Sequence, residues 1–428
     1  PYLTTVPLNR DGGITHWILT TNDNNGNDND ADAGSGRSRR PLLSSCESYK
    51  KIVLVADPGS GQVREEIGHG IGSVFTSTEY RGRSYASRML GEVGTKLANW
   101  DLSPSYKPAP GSGSGSSGSK KAICSALWSD IGKKFYAKKG WIPFASQHVE
   151  FAACKGEQHG AAAKLPSTPI TYANLAKFCA IDEAAVRSKL VKTAAATGKT
   201  AMAFAPSHDQ MLWHLYRDSY IASIVLPDRD PSLAADVDGQ PGNATAATNG
   251  TTAKGRESPA SSSSSSSPSR QPRSGAALRR HPGAPEANEV KGIAVGPEGR
   301  RVWAIWTRNY ATPAGPDAPQ KNTLYILRLV VENEDEIGKD GDGEAAATTT
   351  EAFRAVIRAA QAFAAEWGCA HVDLWNPTGV VARLLRDSGL EHEVVEREEA
   401  SIPSLMWYGE GTRTEDVVWV NNEKYCWC

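Results

Sequence analysis

One order of elements occurs twice along this 428-residue chain: strand, long helix, strand, short helix, glycine. In the first copy Glu66 to Thr76 reads as a strand, and Tyr85, Met89, Leu90, Val93 and Leu97 recur at helical spacing through Ser84–Leu97. Ala122–Trp128 is the next strand, and Ser129–Lys139 is a short helix stopped by Gly140. In the second copy Asn322–Val331 is the strand, and Phe353, Val356, Ile357, Ala360, Phe363, Ala364 and Trp367 form one apolar helical face ending at Gly368. His371–Trp375 follows as a strand, then a helix through Val381, Leu384 and Leu385 to Gly389. Ile14–Thr20, Lys51–Ala56 and Gly299–Trp306 are further strands. Strands alternating with amphipathic helices predict an α/β (or α+β) architecture.

Four segments interrupt this order: Thr21–Arg40, roughly 107–120, Ala235–Ala287 and Glu334–Thr350. They are rich in Asn, Asp, Gly, Ser, Pro or Thr and hold too few apolar side chains to repay ordering entropy, which predicts flexible insertions. The expected domains are therefore 1–160 and 166–428, each carrying two insertions. A net charge of −1 leaves no cationic excess for phosphate neutralisation, which argues against nucleic-acid and acidic-membrane partners. No apolar run reaches the roughly 20 residues that span a bilayer, and no signal-peptide order appears near the start. The seven cysteines are odd in number and lack a C-x-x-C pair, as expected for reduced thiols in a cytoplasmic, intracellular protein without a zinc site. The triplets at Asn243 and Asn249 match the glycosylation pattern, but nothing else supports secretion. Pro1 is not a native translation start, so an upstream segment is expected.

Chemistry concentrates in Gly72–Leu90, where a strand runs through a turn into a helix. The first free N–H groups of that helix point back over the turn, which makes it an anion site by geometry and dipole. Arg81 and Arg83 add positive charge, while the Gly-Lys-Ser/Thr and G-x-G-x-x-G signatures are both absent.

Arg81-Gly-Arg-Ser-Tyr-Ala86 resembles the R/Q-x-x-G-x-G/A loop of the GNAT acetyltransferases, with Ser84 where the family usually has glycine. Ser129-Asp-Ile-Gly-Lys-Lys-Phe-Tyr-Ala-Lys-Lys-Gly-Trp141 is similar in spacing to the later GNAT pattern N-x-x-A-x-x-L-Y-x-x-x-G-F. Together with Asp11-Gly-Gly-Ile-Thr-His-Trp-Ile-Leu, Ser45-Cys-Glu-Ser-Tyr, Ser73-Val-Phe-Thr, Trp407-Tyr-Gly-Glu-Gly and Asn422-Glu-Lys-Tyr425, these motifs resemble the fungal lysine N6-acetyltransferase family. The resemblance implies a mixed sheet flanked by helices, followed by a second, degenerate GNAT-like domain that shapes the acceptor site.

It further implies that acetyl-CoA is the co-substrate, with no metal, and that the acceptor is a small-molecule amine, the ε-amine of free lysine. Arg81, Gly82, Arg83, Ser84, Tyr85 and Ala86 would hold the pyrophosphate. Val74 and Thr76 would pair with the pantetheine amides, a backbone N–H near Val74 or Phe75 would serve the oxyanion, and Ser129 would stand at the family's asparagine position. Tyr136 would give a proton to the leaving thiolate. A lysine ammonium must lose a proton before attack, its reference pKa being about 10.4, and Glu66 and His69 lie where family members place that base. Each also has a plain structural reading, a solvated strand-entrance glutamate and a backbone-satisfying histidine. The N-myristoyltransferases, which also have two GNAT-like halves, use a C-terminal carboxylate, so Cys428 is a further candidate. His208, Trp213, His214 and Tyr216 fall at helical spacing, and core packing explains them equally well. Two other readings stay open: a GNAT acting on another amine, and an inactive CoA-binding scaffold. No specific protein partner is implied.

Overall fold

The computed structural model describes residues 6–21, 40–99, 121–154, 165–226, 286–310, 321–334 and 343–428. The insertions expected at 107–120 and 235–285 lie outside the described residues, as do 22–39 and 335–342. The last of the four expected insertions needs correction, because residues 343–350 begin a long helix. Alanines there favour the helix, Thr349 is buried, and the hydroxyls of Thr348, Thr349 and Thr350 each donate to the carbonyl four residues back.

In chain order the elements are β1 (Ile14–Leu19), β2 (Ser44–Ala56), β3 (Arg64–Phe75), α1 (Tyr85–Asn99), β4 (Ala122–Ser129), α2 (Lys134–Ala137), β5 (Ile142–Pro143) and β6 (Gln147–Ala152). Then come β7 (Ser167–Thr171), α3 (Leu175–Thr197), β8 (Ala201–Phe204), α4 (His208–Val225), β9 (Val290–Val295), β10 (Val302–Asn309) and β11 (Thr323–Val331). The chain closes with α5 (Gly343–Glu366), β12 (His371–Trp375), α6 (Gly379–Ser388), β13 (Glu393–Glu396), β14 (Ile402–Trp407) and β15 (Val418–Trp419).

Two mixed sheets result. The first runs β15-β8-β2-β3-β4-β14-β5, with β1 also paired to β2, and the second runs β13-β6-β12-β11-β10-β9-β7. Each contains the parallel pair that a helical crossover requires: β3 and β4 joined through α1, and β11 and β12 joined through α5. The repeated order of the sequence is thus a repeated layer. The halves also exchange strands: β8, β14 and β15 of the second half join the first sheet, and β6 of the first half pairs with β12 in the second. Pairing therefore crosses the boundary expected near residue 160.

Helix ends follow local chemistry. Ser207 and Thr378 cap α4 and α6 by accepting from Gln210 N and Val381 N, and Gly198 and Gly389 end α3 and α6 in the left-handed region. One apolar cluster draws on both sheets, including Val53 and Val55 of β2 with Trp303 and Ile305 of β10, and α3 joins it through Phe178, which meets Trp303 edge to face. Buried ion pairs fix α3 and α4 to the second sheet: Arg328 with Asp182 at 2.8 Å, and Asp218 with Arg308 at 2.8 Å and Lys291 at 2.6 Å. Among the described residues no helix is long and apolar enough to cross a membrane.

Candidate active site

β3 carries the site because it loses one neighbour before it ends. Its parallel ladder with β4 stops at Ile71↔Leu127, whereas its antiparallel ladder with β2 continues to Ser45↔Phe75. Between Glu47↔Gly72 and that last pair β3 has one extra residue, a bulge that Ser73 absorbs at φ +53°. Residues 72–75 thus leave β4 with no ladder partner on that side, and the chain splays open. Val74 is half-buried, Phe75 is exposed, and Ser44 Oγ bonds both Phe75 O at 2.8 Å and Thr76 Oγ1 at 3.0 Å.

The strand then turns directly into α1. Arg81 Nε donates to Thr76 O at 3.1 Å, Gly82 sits at φ +77°, Ser84 at φ +63°, and Ser84 O accepts from Arg88 N at 3.0 Å. Ser84 therefore occupies a backbone conformation that favours glycine, the residue the resemblance places there. The opening N–H groups of α1, from Tyr85 and Ala86 onward, have no acceptor within the helix, and the exposed Arg81 and Arg83 flank them. This donor set fits a pyrophosphate, so the loop suits CoA.

Tyr136 stands on the α1 side of the first sheet. The helix expected over Ser129–Lys139 shortens to Lys134–Ala137, because residues 129–132 are held in a turn. Ser129 Oγ accepts from Ile131 N and donates to Gly132 O at 2.7 Å, Gly132 lies at φ +77°, and Asp130 Oδ1 accepts from Ser401 N at 2.9 Å. Ser129 is buried in that turn. Tyr136 packs in one cluster with Cys46, Ile71, Met89, Leu127 and Trp141, and that cluster extends to Val74 at the splay. Its hydroxyl makes no hydrogen bond among the described residues. Burial, then Asp130 and Cys46, push its pKa up to about 12, and the proton stays on through the neutral range.

The two candidate bases on β3 are not brought to the splay. Glu66 pairs with Arg64 at 3.1 Å, eight residues before Val74, or about 26 Å along a strand. His69 is 6% exposed, neither ring nitrogen has a partner among the described residues, and burial, then Lys50, holds its pKa down to about 4. It shares the α1 face with Ile71 and is buried there.

Cys428 is on the opposite face, beside Gly70 and Gly72. A Cβ at Gly70 would meet Cys428 Sγ and Lys51 Cε at 2.7 Å, and one at Gly72 would lie 3.6 Å from Cys428 O. Gly70 and Gly72 thus make the groove in which Cys428 rests, while Gly68 on the same face lets Val53, Cys124 and Phe204 approach the strand. Lys51, itself buried, holds the last residues there: Nζ donates to Cys426 O and Gln210 Oε1 at 3.0 Å and to Trp427 O at 3.4 Å. Burial pulls its pKa down. His214 Nε2 lies 2.9 Å from Tyr425 O, Trp213 stacks on Tyr49 and Tyr216 on Tyr172, whereas His208 opens α4 away from them.

Sequence reasoning missed Lys51 and Glu47. Glu47 Oε2 accepts from Tyr49 Oη at 2.5 Å and from Ser73 Oγ at 2.9 Å, and His16 Nδ1 is 3.3 Å from Oε1. This carboxylate faces the bulge. The available signal was alternation: Glu47, Tyr49, Lys51 and Val53 fall on one face of a strand, so two charges there had to be bound or buried. Elsewhere His148, Glu150 and Asp373 on the second sheet bring ligand atoms within 4.8 Å of one another, a grouping that suits a metal ion as well as the weak His148–Asp373 pair it forms.

The chain is similar to a GCN5-related N-acetyltransferase from Anabaena variabilis ATCC 29413, at 12% identity and TM-score 0.38, over 86% of this chain and 63% of that one. A probable N-acyltransferase from Enterococcus faecalis V583 matches at 10% identity and TM-score 0.39, over 88% and 61%. Saccharomyces cerevisiae N-myristoyltransferase with bound myristoyl-CoA matches at 8% identity and TM-score 0.38, over 86% and 65%. The chain spans less than two thirds of each. No curated protein matches significantly. A family model described as LYC1 GNAT-like C-terminal domain matches residues 148–258 and 277–428, more than half of the chain, which therefore belongs to the LYC1-like GNAT family.

Proposed function

We propose that this protein is an N-acetyltransferase that moves the acetyl group of acetyl-CoA to a primary amine, the ε-amine of free lysine, in an intracellular, lysine-degrading role. The observation that carries this reading is the splay after Ile71, followed at once by a bulge, a left-handed turn and a helix N-terminus flanked by Arg81 and Arg83. Acetyl-CoA supplies a reactive thioester when bound. Arg81 to Ala86 would bind its pyrophosphate through backbone N–H groups, and Val74 and Thr76 would pair with its amides. A Val74 or Phe75 N–H, free of the β4 ladder, would donate to the carbonyl oxygen as charge develops there.

As the lysine nitrogen bonds to the thioester carbon and the C–S bond breaks, Tyr136 gives its hydroxyl proton to the departing sulfur and regains one from the nitrogen, through solvent, as the amide forms. The proton of the acceptor ammonium passes to a group on the other face of β3, where Glu47 and the Cys428 carboxylate lie beside the bulge. Glu66 and His69 stay outside this scheme, one by distance and the other by burial. The test is release of CoA thiol with lysine, a polyamine and a lysine-containing peptide. Release that depends on lysine supports the reading. Release only with another amine corrects the acceptor, and none with any amine contradicts transfer.

A further inference from the structure

Behind the last residues lies a cavity of about 160 Å³ whose wall includes Arg217, Tyr325, Ser401, Lys424 and Trp427. Lys424 is 7% exposed, and its ammonium stands 4.2–4.3 Å from the ring centroids of Tyr325, Trp375 and Trp427. Arg217 lies over the same Trp427 ring, 5.4 Å from its centroid. Neither cation makes a hydrogen bond or ion pair with a carboxylate among the described residues. Arg308, also in the wall, is already matched by Asp218.

Buried cations without counter-ions are costly, and aromatic faces recover only part of the loss. Burial, then Arg217 and Arg397, pulls the Lys424 pKa down to about 7, with Asp130 and Asp373 opposing weakly. An anion in the cavity would complete this arrangement.

Two short links lead from the cavity wall toward the splay. Trp427 in its wall is followed by Cys428 at Gly70 and Gly72. Ser401, also in the wall, donates its N–H to Asp130, which opens the turn leading to Tyr136. We propose that Lys424 and Arg217 form a carboxylate subsite, so that the acceptor is an amine that also carries a carboxylate, oriented with its amine toward the splay. This rests on the acetyl-transfer reading. The subsite acts on recognition and orientation and takes no part in the proton steps.

The test compares acetyl transfer to lysine, 6-aminohexanoate and cadaverine by the wild type, Lys424→Met and Arg217→Met. Cadaverine keeps the amine and lacks the carboxylate. The wild type should prefer the two carboxylates in kcat/KM by at least about tenfold, and each variant should lose that preference while cadaverine turnover and CoA affinity stay within about twofold. No preference in the wild type, or equal loss on cadaverine, overturns the subsite and leaves acetyl transfer standing. If no amine is acetylated, the transfer reading fails and the subsite is judged by calorimetry with hexanoate. Hexanoate binding that Lys424→Met weakens at least about tenfold supports it, and binding that is absent or unchanged overturns it. Methionine fills the aromatic cage without a charge, so both variants should fold.

Discussion

Lys51 Nζ donates to the Cys426 carbonyl 3.0 Å away, joining the middle of β2 to the last turn of a chain 375 residues further on. Gly70, next to this contact, leaves the space that the last residues fill. Gly70→Ala should drive the new methyl into Cys428 and Lys51 and cost about 1–3 kcal/mol, as overpacking does. Urea unfolding measures this, and an unchanged midpoint would mean that the last residues yield without cost.

Lys51→Met leaves the Cys426 and Trp427 carbonyls without their donor. The expected cost is about 1–3 kcal/mol from unpaired buried acceptors, partly offset by removing a buried charge. Faster carboxypeptidase trimming of the variant would report release of the clamp. Trimming at the wild-type rate would place the restraint elsewhere.

Tyr136→Phe should lower kcat by about 10²–10⁴-fold, the usual range for a general acid, with CoA affinity unchanged. The hydroxyl makes no hydrogen bond to the described residues, so stability should shift by less than about 0.5 kcal/mol. A loss of kcat below tenfold would assign Tyr136 to packing.

The pH dependence of stability should carry the mark of Lys424. Its folded pKa of about 7 lies below the unfolded value near 10.4, so between them the unfolded chain holds a proton that the folded chain lacks. Stability contributed by this group therefore rises with pH from about 7 to about 10, by at most ~1.4 kcal/mol per pH unit. Lys424→Met should remove that slope. Parallel wild-type and variant curves across pH 7–9 would contradict the depressed value.

Much of the fold was legible because its signals are local. Short strand-like runs marked β1, β3 and β4, and the spacing of Met89, Leu90, Val93 and Leu97 marked α1 to within two residues at each end. The first half of β2 was not, since Ser44–Lys50 is polar and its burial comes from β1 and β3 on either side. α2 fell short of its pattern because Ser129 and Gly132 close a turn first. The strand exchange could not be read, as nothing near residues 122–129 encodes pairing with 402–407. At the candidate site the cofactor turn was visible as a motif, but the glycine groove, Lys51 and Glu47 acquire meaning only when β2 and β3 are paired. The strand spacing of Glu66 already set it far from Val74, a distance that the resemblance alone did not weigh.

Ser84 at φ +63° carries strain that glycine would relieve, so Ser84→Gly should raise stability by up to about 1 kcal/mol. An unchanged or lower unfolding midpoint would show that Ser84 earns its conformation from a contact of its hydroxyl.

The central claim is that the turn between β3 and α1 holds acetyl-CoA. Calorimetric titration of CoA into the wild type and Ser84→Asp tests it directly, because an aspartate there sets a negative charge against the pyrophosphate at the helix N-terminus. The account predicts saturable binding by the wild type and at least about tenfold weaker binding by Ser84→Asp at equal fold stability. Equal affinity in the two proteins, or no binding by the wild type, would contradict it.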